Sequence, residues 1–423
     1  MEKFLSMRQI FILTAVALAM VFTGCKTGDQ HEKVELSTGI WRAVLNIQDQ
    51  KLPFNFQVTT NKEGHYQFTL INAEEKITLN DYTWHGDTIT IPMHIFDTEL
   101  KAVCTKTTMK GIWKKKYLAD YEISFEARHN EKFRFKNTDA TTGTDFGGKW
   151  EVTFYEDGVE STAIAIFDQK NRTVKGTFLT TTGDYRYLEG IQKGEQLLLS
   201  CFDGEHAFLF KAQLGKNGAL EGMFWSGRHW QQKWTAERNE NISLPDPYEL
   251  TFLKKGFDKL SFSFPNTEGE IVSLEDPKFD NQVVIVQILG TWCPNCMDET
   301  AFLSKWYREN SDKDVKIVGL AFERKDDFNY AQKRINKLKE RYGITYDILF
   351  AGKSSKEEAS RKLPMLNRVV SFPTTIFIDK TGNVRKIHTG FNGPGTGKYY
   401  AQFVEEFNLF VNKLLEEDQE ANS

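Results

Sequence analysis

Cysteine and proline are scarce in this sequence, with five cysteines and ten prolines among 423 residues. A small secreted scaffold braced by disulfides would carry more cysteines in a shorter chain, so this fold must depend on its hydrophobic cores. Basic residues are not in excess either, because the formal charge is −4 at pH 7. Nucleic acid is therefore not expected as a partner. Beyond residue 24, no apolar run is long enough to cross a membrane.

Aromatic residues, in contrast, are abundant. They make up 13% of the chain and include 33 Phe and 9 Trp, which favours well-filled β cores. The chain is longer than one hydrophobic core normally supports, so two or three domains are expected.

The N-terminus has the pattern of a targeting segment. Arg8 precedes an apolar run that is too short for a spanning helix. The run ends in small residues directly before Cys25, and this arrangement resembles a bacterial lipoprotein processing site. The resemblance implies a signal peptide at 1–24, lipid attachment at Cys25 and a polar tether over 25–36. A plain secretory signal is the alternative.

Two further cysteines, Cys104 and Cys201, lie in apolar, strand-like patterns. Buried free thiols are expected at both positions, because an unpaired cysteine behaves as a small hydrophobic residue. A disulfide between the two is the alternative. The remaining cysteines, Cys293 and Cys296, are only three residues apart.

The first half of the chain consists of short alternating segments with little helical periodicity. Its pattern occurs twice: Gly39-Ile40-Trp41 returns as Gly148-Lys149-Trp150, and further matches follow in the same order. We predict two all-β antiparallel domains, at 37–136 and 146–238. Eight strand-like runs in the second copy, joined by short connections, favour a lipocalin-like barrel or a similar meander.

The second β copy presents no metal-ligand cluster, no Ser/His/Asp set and no phosphate-binding loop. We therefore expect a non-catalytic module that docks a partner or serves as a spacer. A linker at 239–255, stiffened by Pro245 and Pro247, separates the β half from the rest of the chain.

Strands alternate with helices over 256–417, which predicts an α/β domain with helices on both faces of its sheet. A buried strand at 283–289 leads through Gly290 into a helix that starts with the two cysteines. Unpaired N–H groups and the dipole of this helix stabilise a thiolate at Cys293. Cys296 lies one turn further on, close enough to form a disulfide with Cys293.

The α/β domain resembles the TlpA/ResA-type thiol-disulfide oxidoreductases of the thioredoxin superfamily. Four marks in family order carry the resemblance: Gly290-Thr291-Trp292-Cys293-Pro294-Asn295-Cys296, Glu323, Phe372-Pro373-Thr374-Thr375 and Asp379-Lys380-Thr381-Gly382. It implies a thioredoxin fold and a dithiol redox centre, so the fold class is two all-β domains followed by an α/β thioredoxin-fold domain. A zinc site would need a second Cys/His pair, and none is suitably spaced, so no metal is predicted.

The resemblance also implies roles for single residues. Cys293 attacks a partner disulfide, and Cys296 resolves the mixed disulfide. Pro373 matches the family's cis-proline, with a trans proline as the alternative. Glu323 corresponds to a buried carboxylate that relays protons near the second cysteine, with a solvated loop charge as the alternative. The expected active-site neighbours are Trp292, Pro294, Asn295 and Thr374.

The leading functional prediction is a disulfide reductase, anchored by lipid at Cys25 on the periplasmic side of a bacterial envelope. Lys26 lacks the acidic character that retains many lipoproteins at an inner membrane, which favours the outer one. The expected partners are disulfide-containing envelope proteins and an upstream membrane or periplasmic dithiol donor, and no cofactor is predicted. A peroxiredoxin-like peroxidase is a rival, although that family needs a Thr where this chain has Gly290. A third hypothesis is a binding lipoprotein whose β domains recruit a partner to the redox domain.

Overall fold

The computed structural model describes residues 34–93, 95–136 and 143–420. The expected signal peptide, Cys25 and most of the tether lie outside the described residues. No helix within the described part is long and apolar enough to span a membrane. The described chain forms two antiparallel β units followed by an α/β unit, so the predicted fold class is confirmed.

The first unit is a nine-stranded antiparallel sheet. Its strands are β1 (Gly39–Ile47), β2 (Gln50–Thr60), β3 (Tyr66–Asn72), β4 (Glu75–Leu79), β5 (Thr83–His85), β6 (Thr88–Pro92), β7 (Thr98–Cys104), β8 (Thr108–Lys115) and β9 (Glu122–His129). Their order is β4-β3-β2-β1-β9-β8-β7-β6-β5. Within the described ranges β4 does not pair with β5, so this sheet is a half-barrel with one open side.

The second unit is a closed barrel. Its strands are β10 (Gly148–Glu156), β11 (Val159–Lys170), β12 (Thr173–Thr180), β13 (Gly183–Asp184), β14 (Leu188–Lys193), β15 (Gln196–Phe202), β16 (Ala207–Leu214), β17 (Leu220–Ser226) and β18 (Trp230–Arg238). Strand β10 pairs with β11 and β18, while β12 pairs with β11 and β14, which closes the ring; β13 is a short addition beside β12. Strands that are consecutive in the chain lie next to each other in the ring, as in an up-and-down barrel.

Aromatic side chains fill the interior of the closed barrel. The ring centroids of Phe178 and Phe210 are 4.4 Å apart, and those of Phe210 and Phe224 are 4.3 Å apart. Trp234 packs edge-on against Phe178. The interior is therefore a packed core rather than a ligand cavity.

The two β units share a local geometry at their repeated motif. Trp41 and Trp150 are both buried on the first strand of their unit. Each indole N–H donates to a backbone carbonyl four residues earlier, at Ser37 and Phe146, and both distances are 2.9 Å. In each unit the first strand also pairs with the second and with the last. This agreement supports the duplication inferred from the sequence.

The α/β unit contains a five-stranded mixed sheet. Its strands and helices are a hairpin of β19 (Ser263–Pro265) and β20 (Ile271–Ser273), then β21 (Val283–Leu289), α1 (Pro294–Glu309), β22 (Val315–Glu323), α2 (Phe328–Tyr342), β23 (Asp347–Lys353), α3 (Lys356–Lys362), β24 (Thr374–Ile378), β25 (Val384–Thr389) and α4 (Lys398–Glu420). The order is β23-β22-β21-β24-β25, with β21, β22 and β23 parallel. One face packs on α1, α2 and α4, and the other on α3 and the hairpin. All seven residues of the central strand β21 are buried, as a strand covered on both faces requires.

The closed barrel contacts both other units. Strands β15 and β16 pack on β2 and β3 of the half-barrel, where the Phe54 and Phe202 rings lie 4.4 Å apart. Arg134, which follows the half-barrel, is buried there and donates to the Ser200 carbonyl at 3.3 Å. The segment between β12 and β14 meets the start of α1. The barrel therefore lies against the α/β unit, which differs from the spacer role that was one of the two sequence-based expectations.

Candidate active site

Cys293 is the N-cap residue of α1. Strand β21 ends at Leu289, and a short turn brings the chain into the helix, with Pro294 in the first helical turn. A proline there costs no hydrogen bond, because the N–H groups of that turn have no partner within the helix. The Cys296 backbone N–H donates to Cys293 Sγ at 3.2 Å. This donor and the helix dipole stabilise negative charge on the Cys293 sulfur.

Both cysteines of the motif are free thiols, and both are buried. The exposed fraction is 7% for Cys293 and 0% for Cys296, so Cys293 is the one that a partner can reach. Burial raises the pKa of Cys296 well above its ordinary value, and the neighbouring Cys293 and Glu299 raise it further. Cys296 therefore needs a base before it can act as a nucleophile.

Glu299 is a buried carboxylate on α1, three residues after Cys296. Its oxygens accept hydrogen bonds from the Gln287 side-chain amide at 2.8 Å and from the Thr375 hydroxyl at 2.7 Å. Burial raises the pKa of Glu299 to about 7, although these hydrogen bonds favour the charged form. A carboxylate that titrates near neutral pH, on the same helical face as the thiol, is suited to accept and return a proton.

Glu323 is a second buried carboxylate, at the end of β22. It accepts hydrogen bonds from the Thr291 backbone N–H at 2.9 Å and from the Thr291 hydroxyl at 2.7 Å. Burial raises the pKa of Glu323 to about 7. The alternative of a solvated loop charge is wrong, because Glu323 is fully buried. Glu323 contacts the turn before Cys293, whereas Glu299 lies one helical turn after Cys296 and its charge raises the pKa of that thiol.

The loop before β24 forms another side of the site. The Phe372–Pro373 peptide bond is cis, and the Thr374 hydroxyl donates to the Ser371 carbonyl at 2.8 Å. The Phe372 ring lies edge-on to Trp292, with centroids 5.5 Å apart. The Phe372 carbonyl is 3.4 Å from Cys293 Sγ. A backbone acceptor therefore stands directly beside the accessible thiol.

The closed barrel supplies a segment that runs along this site, between β12 and β14. The Asn295 side-chain amide donates to the Asp184 carbonyl at 3.2 Å, and the Ser371 hydroxyl donates to the Thr182 carbonyl at 2.9 Å. A Cβ on Gly183 would lie 2.1 Å from the Asn295 amide nitrogen. Glycine is favoured at this position because its φ is +143° and because a Cβ would collide with the Asn295 side chain.

Arg186 of the same segment joins all three units. Its guanidinium donates to the Pro294 carbonyl at 3.3 Å, to the carboxylate of Asp298 on α1, and to Glu75 of the half-barrel at 2.5 Å. Burial opposes its charge, but the carboxylates of Asp298, Glu75 and Asp203 raise the pKa of Arg186 well above its ordinary value. Removing one partner from a buried ionic network costs about 3–5 kcal/mol. The barrel is thus firmly fixed to the helix that carries the cysteines.

A pocket of about 310 Å³ opens onto Cys293 between these two units. The thioredoxin-side wall, on the α/β unit, contains Trp292, Phe372 and Arg324. The barrel wall contains Tyr185, His206 and Phe208.

The structure places the predicted residues of the α/β unit in one site. They are Trp292, Cys293, Pro294, Asn295, Cys296, Glu323, Pro373 and Thr374. Residues that the sequence reasoning missed are Glu299, Asp184, Arg186 and His206. The spacing of Glu299 from Cys296 was a usable signal, because residues three apart share a helical face. No group of three or more His, Cys, Asp or Glu side chains in the described chain is arranged to hold a metal ion.

Comparison with known proteins places the α/β unit among redox proteins. The model of the AhpC/TSA family matches residues 258–387, which leaves both β units outside the match. The thioredoxin-like protein YneN of Bacillus subtilis is 27% identical over 138 residues, which are 33% of this chain and 73% of YneN. The thiol-disulfide oxidoreductase ResA of Halalkalibacterium halodurans is 26% identical over 159 residues, which are 38% of this chain and 78% of ResA. A crystal structure of the thioredoxin domain of a Bacteroides vulgatus thiol-disulfide oxidoreductase covers 37% of this chain and 99% of that domain, at 24% identity and a TM-score of 0.28.

The sheet with its helices, the buried dithiol at a helix N-terminus and the sequence relatives define a thiol-disulfide oxidoreductase of the thioredoxin type. Within the thioredoxin superfamily, the α/β unit is of the TlpA/ResA type.

Proposed function

We propose that this chain reduces disulfides in proteins of the bacterial envelope. The observation that carries the proposal is the pair of free thiols at the start of α1, where Cys293 accepts a backbone hydrogen bond and Cys296 lies fully buried behind it. This arrangement suits an attacking thiol that is reachable and a resolving thiol that is protected.

The reaction proceeds through a mixed disulfide. The Cys293 thiolate attacks one sulfur of the client disulfide, the client S–S bond breaks, and the other client sulfur leaves as a thiolate. The Cys296 thiolate then attacks Cys293 Sγ, which releases the second client thiolate and forms the Cys293–Cys296 disulfide. Two electrons pass from the motif to the client, and each leaving thiolate takes up a proton.

The second step needs a base at Cys296, because burial raises the pKa of that thiol. We assign this role to Glu299, which lies one helical turn away with a pKa near 7. Glu323 has the supporting role of holding Thr291 through two hydrogen bonds, and so fixes the turn that leads into Cys293.

The proposal also includes an address and a donor. A lipid at Cys25 would hold the chain on the periplasmic side of the envelope. Lys26 favours the outer membrane over the inner one as the site of the anchor. Each turnover leaves the motif oxidised, so a membrane-bound or periplasmic dithiol protein must reduce it again. The polar residues after Cys25 would serve as the tether between lipid and fold.

The test is a trapping experiment with a Cys296→Ser variant of the full chain in its own envelope. Without the resolving thiol, clients should stay attached to Cys293, and mass spectrometry of the adducts would identify them. Cys293→Ser is the matched control. It has no thiol at position 293 and should therefore form no mixed disulfide with a client there. If Cys296→Ser holds no protein and the reduced wild type exchanges with no disulfide, the proposal fails.

A second assay distinguishes a disulfide reductase from a peroxiredoxin-like peroxidase. Gly290 stands where a peroxiredoxin-like site needs a Thr, so the reduced chain should consume hydrogen peroxide far more slowly than it consumes a protein disulfide. Efficient peroxide turnover with a dithiol donor would favour the rival instead.

A further inference from the structure

Cys293 is approached through a pocket whose two walls come from different units. The thiol exposes only 7% of its surface, and the pocket in front of it measures about 310 Å³. Trp292 and Phe372 belong to the thioredoxin-side wall, whereas His206 and Phe208 belong to the barrel wall. A substrate that reaches Cys293 must therefore pass the closed barrel.

The barrel wall is anchored in place. Arg186 donates to the Pro294 carbonyl and to Asp298, so the barrel is attached within one turn of Cys293. The Asp184 carboxylate accepts the backbone N–H of Gly393 at 2.6 Å. These bonds are buried, and their loss would leave charged groups without partners. The pocket is thus a fixed feature of the site.

Aromatic rings line the barrel wall, where His206 is partly exposed and Phe208 exposes 7% of its surface. His206 stacks on Phe208 with ring centroids 4.5 Å apart and planes 19° apart. Asp203 holds the stack, because its carboxylate lies 3.1 Å from His206 Nδ1. The thioredoxin-side wall adds the edge-on pair of Trp292 and Phe372. Aromatic rings on both walls suit a large apolar or aromatic side chain beside the reacting disulfide.

The size of the pocket restricts what can enter. A folded client of ordinary interface size would need about 800 Å² of contact on each partner. The pocket volume lies at the lower end of the range of about 300–1,000 Å³ that holds small ligands. A single extended stretch of polypeptide can bring its disulfide to Cys293 here, whereas a disulfide set in a rigid folded surface meets the barrel first.

We propose that the closed barrel is the substrate-selecting half of the active site, and this rests on the proposed disulfide-reductase function. It admits an extended polypeptide segment whose reacting cysteine has an aromatic or large apolar neighbour, and that neighbour packs on His206 and Phe208. The barrel thereby decides which disulfides are reduced, while the α/β unit carries out the exchange.

The experiment uses the reduced full chain in single turnover with three disulfides. Two are unstructured peptides that differ only in a Phe or a Ser beside the attacked cysteine, and the third is 2-hydroxyethyl disulfide. The wild type should react about tenfold faster with the Phe peptide than with the Ser peptide, because one additional aromatic contact stabilises the complex by about that factor. His206→Ala should reduce this preference to about twofold or less and should change the rate with the small disulfide by less than about twofold.

Two further variants make the outcome decisive. Phe208→Leu retains most of the side-chain volume in the barrel core and should also weaken the preference. His229→Ala alters an exposed histidine outside the pocket lining and should leave all three rates unchanged. Circular dichroism would check the fold of each variant.

Equal wild-type rates with both peptides, an unaltered preference in His206→Ala, or a matching loss with all three disulfides would each overturn the proposal. A wild type fastest with 2-hydroxyethyl disulfide would also overturn it, in favour of a small-molecule substrate. A wild type that reacts with none of the three would contradict the proposed function itself, which is a separate result.

Discussion

The two walls of the active-site pocket differ in what they provide. The thioredoxin side holds the reacting groups: two thiols and two buried carboxylates, all within or next to one strand-to-helix turn. The barrel side holds no thiol within the pocket, and it contributes a buried cation, an aromatic stack and backbone carbonyls. Chemistry and shape therefore come from different units.

This division gives each wall its own experimental signature. A change on the thioredoxin side should alter the exchange rate with every disulfide, because every substrate uses the same thiols. A change on the barrel side should alter stability or the choice among substrates, and leave a very small disulfide unaffected. Variants on each wall therefore test this division of roles.

The largest effect is expected at Arg186, the ionic contact between the walls. Arg186→Met leaves the partly buried carboxylates of Asp298 and Glu75 without their buried cation, and should lower the free energy of unfolding by about 3–5 kcal/mol. Urea unfolding followed by tryptophan fluorescence would measure the loss. Below the unfolding transition, the rate with 2-hydroxyethyl disulfide should be retained, while the peptide preference is lost.

Arg134→Met is the matched control for that prediction. Arg134 is also buried, but it joins the barrel to the half-barrel through the carbonyls of Ile71 and Ser200, away from Cys293. Its removal should destabilise the chain and leave the peptide preference intact. Equal changes of preference in both variants would contradict the assignment of selectivity to the pocket wall.

The second prediction concerns Glu299 on the thioredoxin side. Glu299→Gln cannot accept a proton from Cys296, so the resolving step should slow by at least about 10²-fold at pH 7, with every disulfide alike. Stopped-flow release of the second client thiolate would measure that step. A variant that resolves at the wild-type rate would exclude Glu299 as the base.

The same variant has a pH signature in stability. Burial raises the pKa of Glu299 from 4.5 to about 7. Between pH 4.5 and pH 7, Glu299 is therefore protonated in the folded state and ionised in the unfolded state. The corresponding stability is complete below pH 4.5 and is lost as pH rises through 7, by about 3 kcal/mol. Urea unfolding at a series of pH values would measure this dependence. Between pH 4.5 and a pH above 7, the free energy of unfolding should fall by about 3 kcal/mol less in Glu299→Gln than in the wild type.

The sequence allowed the thioredoxin wall to be predicted because its residues are neighbours in the chain. Cys293, Cys296 and the turn before them form one continuous motif, and Pro373 belongs to a short motif of its own. The family resemblance indicates Glu323, at the end of a buried strand, as the proton relay, and Glu299 was missed. The fold adds that Glu299 is fully buried and that its charge raises the pKa of Cys296.

The barrel wall could not be predicted in this way. Arg186 lies more than a hundred residues before the cysteines, and its neighbours Gly183 and Asp184 look like an ordinary turn between strands. Nothing in local periodicity indicates which turn of a barrel will face another domain. The two β copies are predicted as repeats, yet one closes and the other stays open, with Phe202 and Leu209 of the closed barrel packed into the core of the open one.

A smaller effect is expected at Glu323. Glu323→Gln retains an oxygen for the Thr291 backbone N–H, and its amide can donate to the Thr291 hydroxyl. About one charge-assisted hydrogen bond is weakened, so exchange with every disulfide should slow by about tenfold or less. Parallel rate measurements at pH 7 would rank the two carboxylates. A loss larger than that of Glu299→Gln would restore Glu323 as the proton relay.

The smallest effect is expected at Asn295, which makes a single hydrogen bond between the two walls. Asn295→Ala leaves the Asp184 carbonyl without its amide donor and should cost about 0.5–1.5 kcal/mol of unfolding free energy. Asn310→Ala removes a comparable bond, to the Trp306 carbonyl, at the other end of α1. Urea unfolding should give similar losses for both, but only Asn295→Ala should weaken the peptide preference, because only that residue holds the barrel segment beside Cys293. An identical preference in the two variants would mean that this hydrogen bond stabilises the chain without shaping the pocket.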